Sequence, residues 1–85
     1  AEQRRKRLIR MINRAIARAD EGKYLRALEI LQEDVLKRVD GCAISGQAEK
    51  NDWIQDCDAQ GQVYPLIMEA IRHLKGTIFL YAINE

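Results

Sequence analysis

Cys42 and Cys57 are the only cysteines in the chain, fifteen positions apart at the two edges of a stretch without helical periodicity. Three chemistries are open to such a pair. A redox couple uses the close Cys-x-x-Cys spacing, which is absent here. A structural zinc site needs four ligands, and the sole histidine, His73, lies far along the next helical segment. A disulfide needs only that two segments of chain meet. Closing a loop of about sixteen residues stabilises a fold by roughly 3 kcal/mol through the entropy of the unfolded chain. That is a large share of what a short domain holds. The pair is read as a staple, with two buried free thiols as the alternative, and a staple belongs to an oxidising compartment.

The remaining candidates for chemistry are weaker. Asp40, Glu49, Asp52, Asp56 and Asp58 crowd the same region and raise the question of calcium. Their spacing departs from the Asp-x-Asp-x-Asp-Gly loop that wraps that ion, and helix capping with solvent exposure accounts for them. His73, between Arg72 and Lys75 near a helix end, reads as a surface residue that complements the helix dipole. Trp53 and Tyr64 at helical spacing read as core. No nucleophile, base and orienting group can be assembled from these residues. The expectation is therefore a protein that is not an enzyme and has no metal, cofactor or small-molecule substrate.

The elements that position these residues follow from periodicity. Leu8, Ile12, Ala15, Ile16 and Ala19 recur at spacings of three and four over about residues 2 to 19, the repeat of an amphipathic helix. Gly22 can take the left-handed conformation that closes it. A second helix is expected from Lys23 to Val39, with Tyr24, Leu28, Leu31, Val35 and Val39 as its stripe, widened by Leu25, Ala27 and Leu36, and Ile30 off it. Asp40 and Gly41 end it, and residues 42 to 51 read as a loop. Asn51 or Asp52 is the expected N-cap of a third, longer helix carrying Trp53, Cys57, Gln60, Tyr64, Met68 with Ile67, Ile71 and Leu74. The only proline, Pro65, falls inside it, so a bend is expected where the missing side chain of Gly61 leaves room. Gly76 is expected to end that helix.

Two features lie outside this frame. Residues 77–85 contain Ile78, Phe79, Leu80, Tyr81 and Ile83, too apolar for a free terminus, and no other strand is available to pair with them. They are read as a helix extension or as the contact for a protein partner. Arg7, Arg10, Arg14 and Arg18 make the first helix locally basic in a chain whose net charge is only +1. They are candidates for contact with an anion, whether nucleic acid or anionic lipid. No aromatic residue interleaves with them, and pairing with the acids of the second helix is the competing expectation. No apolar run is long enough to cross a membrane and no signal peptide is visible, which suggests a mature or excised piece.

The runs Gly22-Lys23-Tyr24, Ala27-Leu28-Glu29-Ile30-Leu31, Asp40-Gly41-Cys42, Lys50-Asn51-Asp52-Trp53-Ile54, Asp56-Cys57 and Val63-Tyr64-Pro65 resemble small helical modules at the ends of secreted and cell-surface prokaryotic proteins. In outline the chain is similar to the FIVAR and FIMAH type accessory domains over about residues 8 to 75. That resemblance implies a non-catalytic spacer or attachment module outside the cell. Gly22-Lys23-Tyr24-x-x-Ala27-Leu28 also resembles the turn of a tetratricopeptide-type hairpin, although such repeats stack in several copies and one is present here.

Together these observations predict an all-α chain, a three-helix up-down-up bundle with one disulfide and a kinked third helix. Residues 1–76 would form the bundle and 77–85 the apolar tail. The expected core is Tyr24, Leu28, Leu31, Val35, Trp53, Cys57, Tyr64, Met68 and Ile71, with Leu8, Ile12 and Ile16 from the first helix. The expected role is structural or interaction-mediating in an extracellular or cell-surface assembly, through self-association or a protein partner. A nucleic-acid or anionic-membrane binder and a tetratricopeptide-like adaptor are the alternatives.

Overall fold

The computed structural model describes the backbone of residues 2–84 and the side chains of residues 2–83. Residues 1 and 85 of the expected bundle and tail lie outside the described residues. Every regular element is helical, and Cys42 and Cys57 are disulfide-bonded with their Cα atoms 5.6 Å apart.

Helix α1 spans Glu2–Asp20. It ends as its sequence demands: Gly22 sits at φ 79°, where a side chain would be strained, and this lets the Lys23 amide reach back to the Arg18 carbonyl at 2.9 Å. The second helical segment follows at once. It begins as α2, Tyr24–Glu29, widens into a π-helical turn over Ile30–Val35 and tightens into a 3-10 turn over Leu36–Arg38. On its exposed side Lys37 pairs with Glu33 at 2.9 Å, and that bond pushes the lysine pKa up. A short helix α3, Gly41–Ser45, stands where a loop was expected and is closed by Gly46 at φ 84°.

Helix α4 covers Cys57–Asn84 as one element. Its cap is Asp56, whose carbonyl accepts from the Gln60 amide at 2.9 Å and whose carboxylate accepts from the Asp58 amide at 3.3 Å. The expected caps Asn51 and Asp52 therefore stand outside the helix, as does Trp53. The helix also continues past Gly76, contrary to expectation. A glycine costs a helix only about 1 kcal/mol relative to alanine, and the residues beyond it have something to pack on, because Tyr81 stacks on Tyr24 with ring centroids 5.6 Å apart. The disulfide joins the start of α4 to α3, just beyond the far end of the second segment, and the tyrosines join its end to the near one, so α4 runs back along that segment.

The second segment makes the close backbone approaches to both α1 and α4. It consequently buries a wider arc than one stripe: Ala27, Ile30, Leu31, Val35 and Val39 are all buried. Ile30, expected off the stripe, is only 1 % exposed for this reason. Leu8 and Ala15 from α1, and Ile67 and Ile71 from α4, complete the core. Ile12, Leu28 and Trp53 pack around it half-buried, as Tyr24 and Tyr64 are half-buried. Three expected core members lie outside: Ile16 is 52 % exposed, Met68 is 40 % exposed, and Cys57 is exposed at the start of α4. The buried face of α4 passes through Ile67 in place of Met68, one position round the helix.

Truncating Ile30 leaves a cavity between two helices, so Ile30→Ala is expected to cost about 3 kcal/mol, whereas Ile16→Ala should cost less than about 1 kcal/mol. Urea denaturation followed by circular dichroism measures both. Equal costs would contradict the burial of Ile30.

Candidate functional site

The best-organised polar cluster lies beneath the disulfide. Asp52 is fully buried, and one carboxylate oxygen, Oδ2, accepts from three donors: the Glu49 amide at 2.9 Å, the Gly41 amide at 3.2 Å and the Gln60 side-chain amide at 2.8 Å. Gln60 is 1 % exposed and joins two parts of the chain. Its Nε2 also donates to the Ile54 carbonyl at 2.6 Å, and its Oε1 accepts from the Cys42 amide at 3.0 Å. Around this hub the loop is tied to distant elements. Arg4 of α1 donates to the Asp52 carbonyl at 2.9 Å, the Trp53 amide donates to the Arg38 carbonyl at 2.7 Å, and the Arg38 guanidinium lies 5.4 Å from the Trp53 ring centroid.

Gly41 is required by this packing. A Cβ there would collide with the Asp52 carboxylate and lie 2.6 Å from the Glu49 amide nitrogen. No flexible side-chain tip stands in the way; the obstruction is backbone and a carboxylate already held by three bonds. Chemically the cluster faces inward. Oδ2 is committed to backbone and side-chain amides that hold the loop in place, while Oδ1, equally buried, has no hydrogen-bond donor among the described residues. Among the described residues, no group of three or more His, Cys, Asp and Glu is placed to hold a metal ion. Asp40, Glu49, Asp52, Asp56 and Asp58 are therefore not gathered as ligands.

The residues expected to touch partners lie on two other surfaces. At the far end of α4, Phe79, Leu80, Tyr81 and Ile83 are each more than half exposed, while Ile78 is half-buried. Ile78 and Tyr81 face Tyr24 and Leu25 across an apolar groove of about 660 Å³ whose rim carries Lys23, Arg26 and Glu29. The Tyr81 side chain lifts the Tyr24 phenol above the usual tyrosine value, by polar contact first and by repulsion between the two ionised forms second. On α1, Arg7, Arg10 and Arg14 are exposed, and Arg18 bonds Glu21 in the following turn at 2.9 Å. The acids of the second segment do not neutralise this row: Glu29 pairs with Arg26 and Glu33 with Lys37, each within its own helix. Of the α1 arginines, Arg18 is linked to the α4 end, through Glu21, which also pairs with Lys23 on the groove rim at 3.7 Å; Arg14, Arg10 and Arg7 lie successively farther back along the helix.

The hub was the part missed by sequence reasoning. Asp52 was assigned to a helix cap and Gln60 to a helix stripe, and periodicity offers no sign that two polar residues eight apart will meet in the interior. The one available signal was composition: an aspartate, a glycine and a cysteine in succession at one edge of the stapled loop.

Asp52→Ala removes the acceptor of the Gly41 and Glu49 amides and one of the two acceptors of Gln60 Nε2, and Gly41→Ala forces the carboxylate out of place, so each is expected to cost about 3 kcal/mol with the disulfide intact. Gly61→Ala, in α4 where a Cβ meets nothing within 4 Å, should stabilise by about 0.5–1 kcal/mol. Urea midpoints would rank the three; a neutral Gly41→Ala would refute the hub. Spectrophotometric titration should also show the Tyr24 phenol ionising above the ordinary tyrosine range, a rise that Tyr81→Phe removes. A raised phenol pKa favours the fold below the ordinary tyrosine range and ceases to do so as pH rises through the raised value.

Comparison of the chain with protein-family models, with curated proteins and with solved structures found no match.

Proposed function

We propose that this chain is a non-catalytic structural or interaction module of an extracellular or cell-surface assembly, built as a three-helix up-down-up bundle with a kinked third helix and docking to a protein partner, or to another copy of itself, through the end of α4. The observation that carries this reading is the apolar end of that helix. Beyond Gly76 the helix is hydrophobic on nearly all sides, and Phe79, Leu80, Tyr81 and Ile83 are 63, 60, 57 and 60 % exposed. A helix apolar all round is at home buried, and contiguous exposed apolar surface marks interaction sites. The neighbouring groove between Tyr24, Leu25, Ile78 and Tyr81 gives such a contact depth.

Support for the compartment comes from the disulfide, which persists in oxidising surroundings. Among the described residues, no helix is long and apolar enough to cross a membrane. Support for a non-catalytic role comes from the inward commitment of the Asp52 cluster, whose polar atoms hold the loop.

Light scattering across a concentration series tests the assembly reading. Removal of Ile78 to Ile83 is expected to lower the oligomeric mass. The double variant Phe79→Ser, Leu80→Ser should do the same while keeping the Tyr24–Tyr81 stack. A monomer in all three forms would sink self-association, and retention of an apolar-probe signal equal to the parent by the double variant would sink the docking surface.

A further inference from the structure

We propose that the outer flank of α1 is a docking surface for an anionic lipid bilayer. The charge of this protein is segregated to a degree that its net value conceals. The first eighteen residues carry seven basic side chains and one acidic, leaving seven basic and twelve acidic for the rest. Lys6, Arg10, Arg14 and Arg18 stand four residues apart, so they form an inclined row with about 6 Å of axial rise and about 40° of turn between neighbours. Like charges at that spacing destabilise a helix. Among the described residues, no carboxylate lies within ion-pair distance of Lys6, Arg7, Arg10 or Arg14, and only Arg18 has one, Glu21. An exposed, unneutralised row on an otherwise acidic molecule is an electrostatic footprint for an anionic partner.

The character of the partner follows from what borders the row. Beside it runs Ile9, Asn13 and Ala17, whose small members leave a shallow groove of about 440 Å³ flanked by the cations. Ile9 is 44 % and Ile16 52 % exposed, seven residues apart and hence on nearly one line two turns apart. A bilayer surface offers both things this flank lacks: headgroup phosphates for the guanidinium groups and an acyl boundary for the isoleucines. A nucleic acid supplies only the first. Its phosphate backbone gives Ile9 and Ile16 nothing to bury against, and α1 has no aromatic side chain for stacking on bases. Lipid headgroups also move laterally, so an inclined row of long, flexible cations needs no registry with them. The acidic remainder of the molecule is repelled by the same surface and turns α1 toward it.

Co-sedimentation of the full, disulfide-bonded chain with vesicles tests this, using phosphatidylglycerol and phosphatidylcholine in equal parts, neutral phosphatidylcholine alone, and a short DNA duplex as the competing polyanion. Binding is expected to the anionic vesicles only, and to fall as salt is raised. Each neutralised cation should lower partitioning about fivefold, so Arg10→Gln with Arg14→Gln lowers it about thirtyfold. Ile9→Ser with Ile16→Ser should weaken vesicle binding without changing any weak duplex binding. Lys37→Gln with Arg72→Gln, which removes two exposed cations elsewhere, should leave vesicle binding unchanged. All of these side chains are at the surface, and equal helical circular dichroism establishes that the variants fold. The inference is overturned by equal binding to neutral vesicles, by equal loss in the Lys37 and Arg72 variant, by insensitivity to the isoleucines, or by duplex binding tighter than vesicle binding at the same salt.

Discussion

A carboxylate closed off from water must find hydrogen-bond donors inside the protein, and the way Asp52 finds them determines how the two halves of this chain meet. An ionised group buried without partners would be far costlier than the fold could bear. Asp52 meets this requirement at Oδ2, which accepts from the Gly41 and Glu49 amides and from Gln60, and leaves Oδ1 without a donor among the described residues. Those donors come from the start of α3, from the loop and from the first turn of α4. Satisfying one oxygen atom thus fixes three pieces of chain relative to one another. The disulfide limits how far Cys42 and Cys57 can separate but does not by itself orient the loop between them. The hub supplies the orientation, and the glycine at position 41 supplies the space.

What the hub fixes at one end, α4 transmits to the other. A helix of 28 residues is about 42 Å long, and the greatest extent of the molecule is 43 Å. Its start is held at the loop, so its end is delivered beside Tyr24, where Ile78 and Tyr81 find partners and Phe79, Leu80 and Ile83 do not. A shorter helix ending at Gly76 would leave the near end of the second segment uncovered. The apolar end is thus partly core and partly surface, which explains why its composition suits neither a free terminus nor an internal strand.

Long periodic stretches were legible in the sequence because burial on one face leaves a repeat of three and four. Helix α1, the existence of α4 and the disulfide all followed from such local or pairwise signals. The helix boundaries did not. Trp53 keeps helical spacing with Cys57 yet precedes the helix, because its place is set by the bond from its amide to Arg38 and by the guanidinium near its ring. Ile30 was misplaced because a single stripe describes a helix with one neighbour, and this segment has two. Gly76 was misplaced because propensity was outweighed by packing on Tyr24. The hub was illegible for a different reason. Asp52, Gln60 and Gly41 are brought together by tertiary contact, and hydrogen bonds between distant polar residues leave no period behind.

The two open surfaces belong to different helices, and the segment between them explains how both can exist in so small a molecule. Because the second segment packs against both α1 and α4, neither outer helix needs its whole circumference for the core. Helix α1 contributes Leu8 and Ala15 and leaves a basic flank free, while α4 contributes Ile67 and Ile71 and leaves an apolar end free. The side chains on these surfaces are exposed, so their identities are nearly unconstrained by folding. A surface that stability does not dictate is where a function in recognition can be written, and here two different chemistries are written on it, one cationic and one aromatic. Their chemistries suit different kinds of partner, and substitutions away from the Arg18–Glu21–Lys23 chain that links the two surfaces, as at Arg10 and Phe79, should be close to additive.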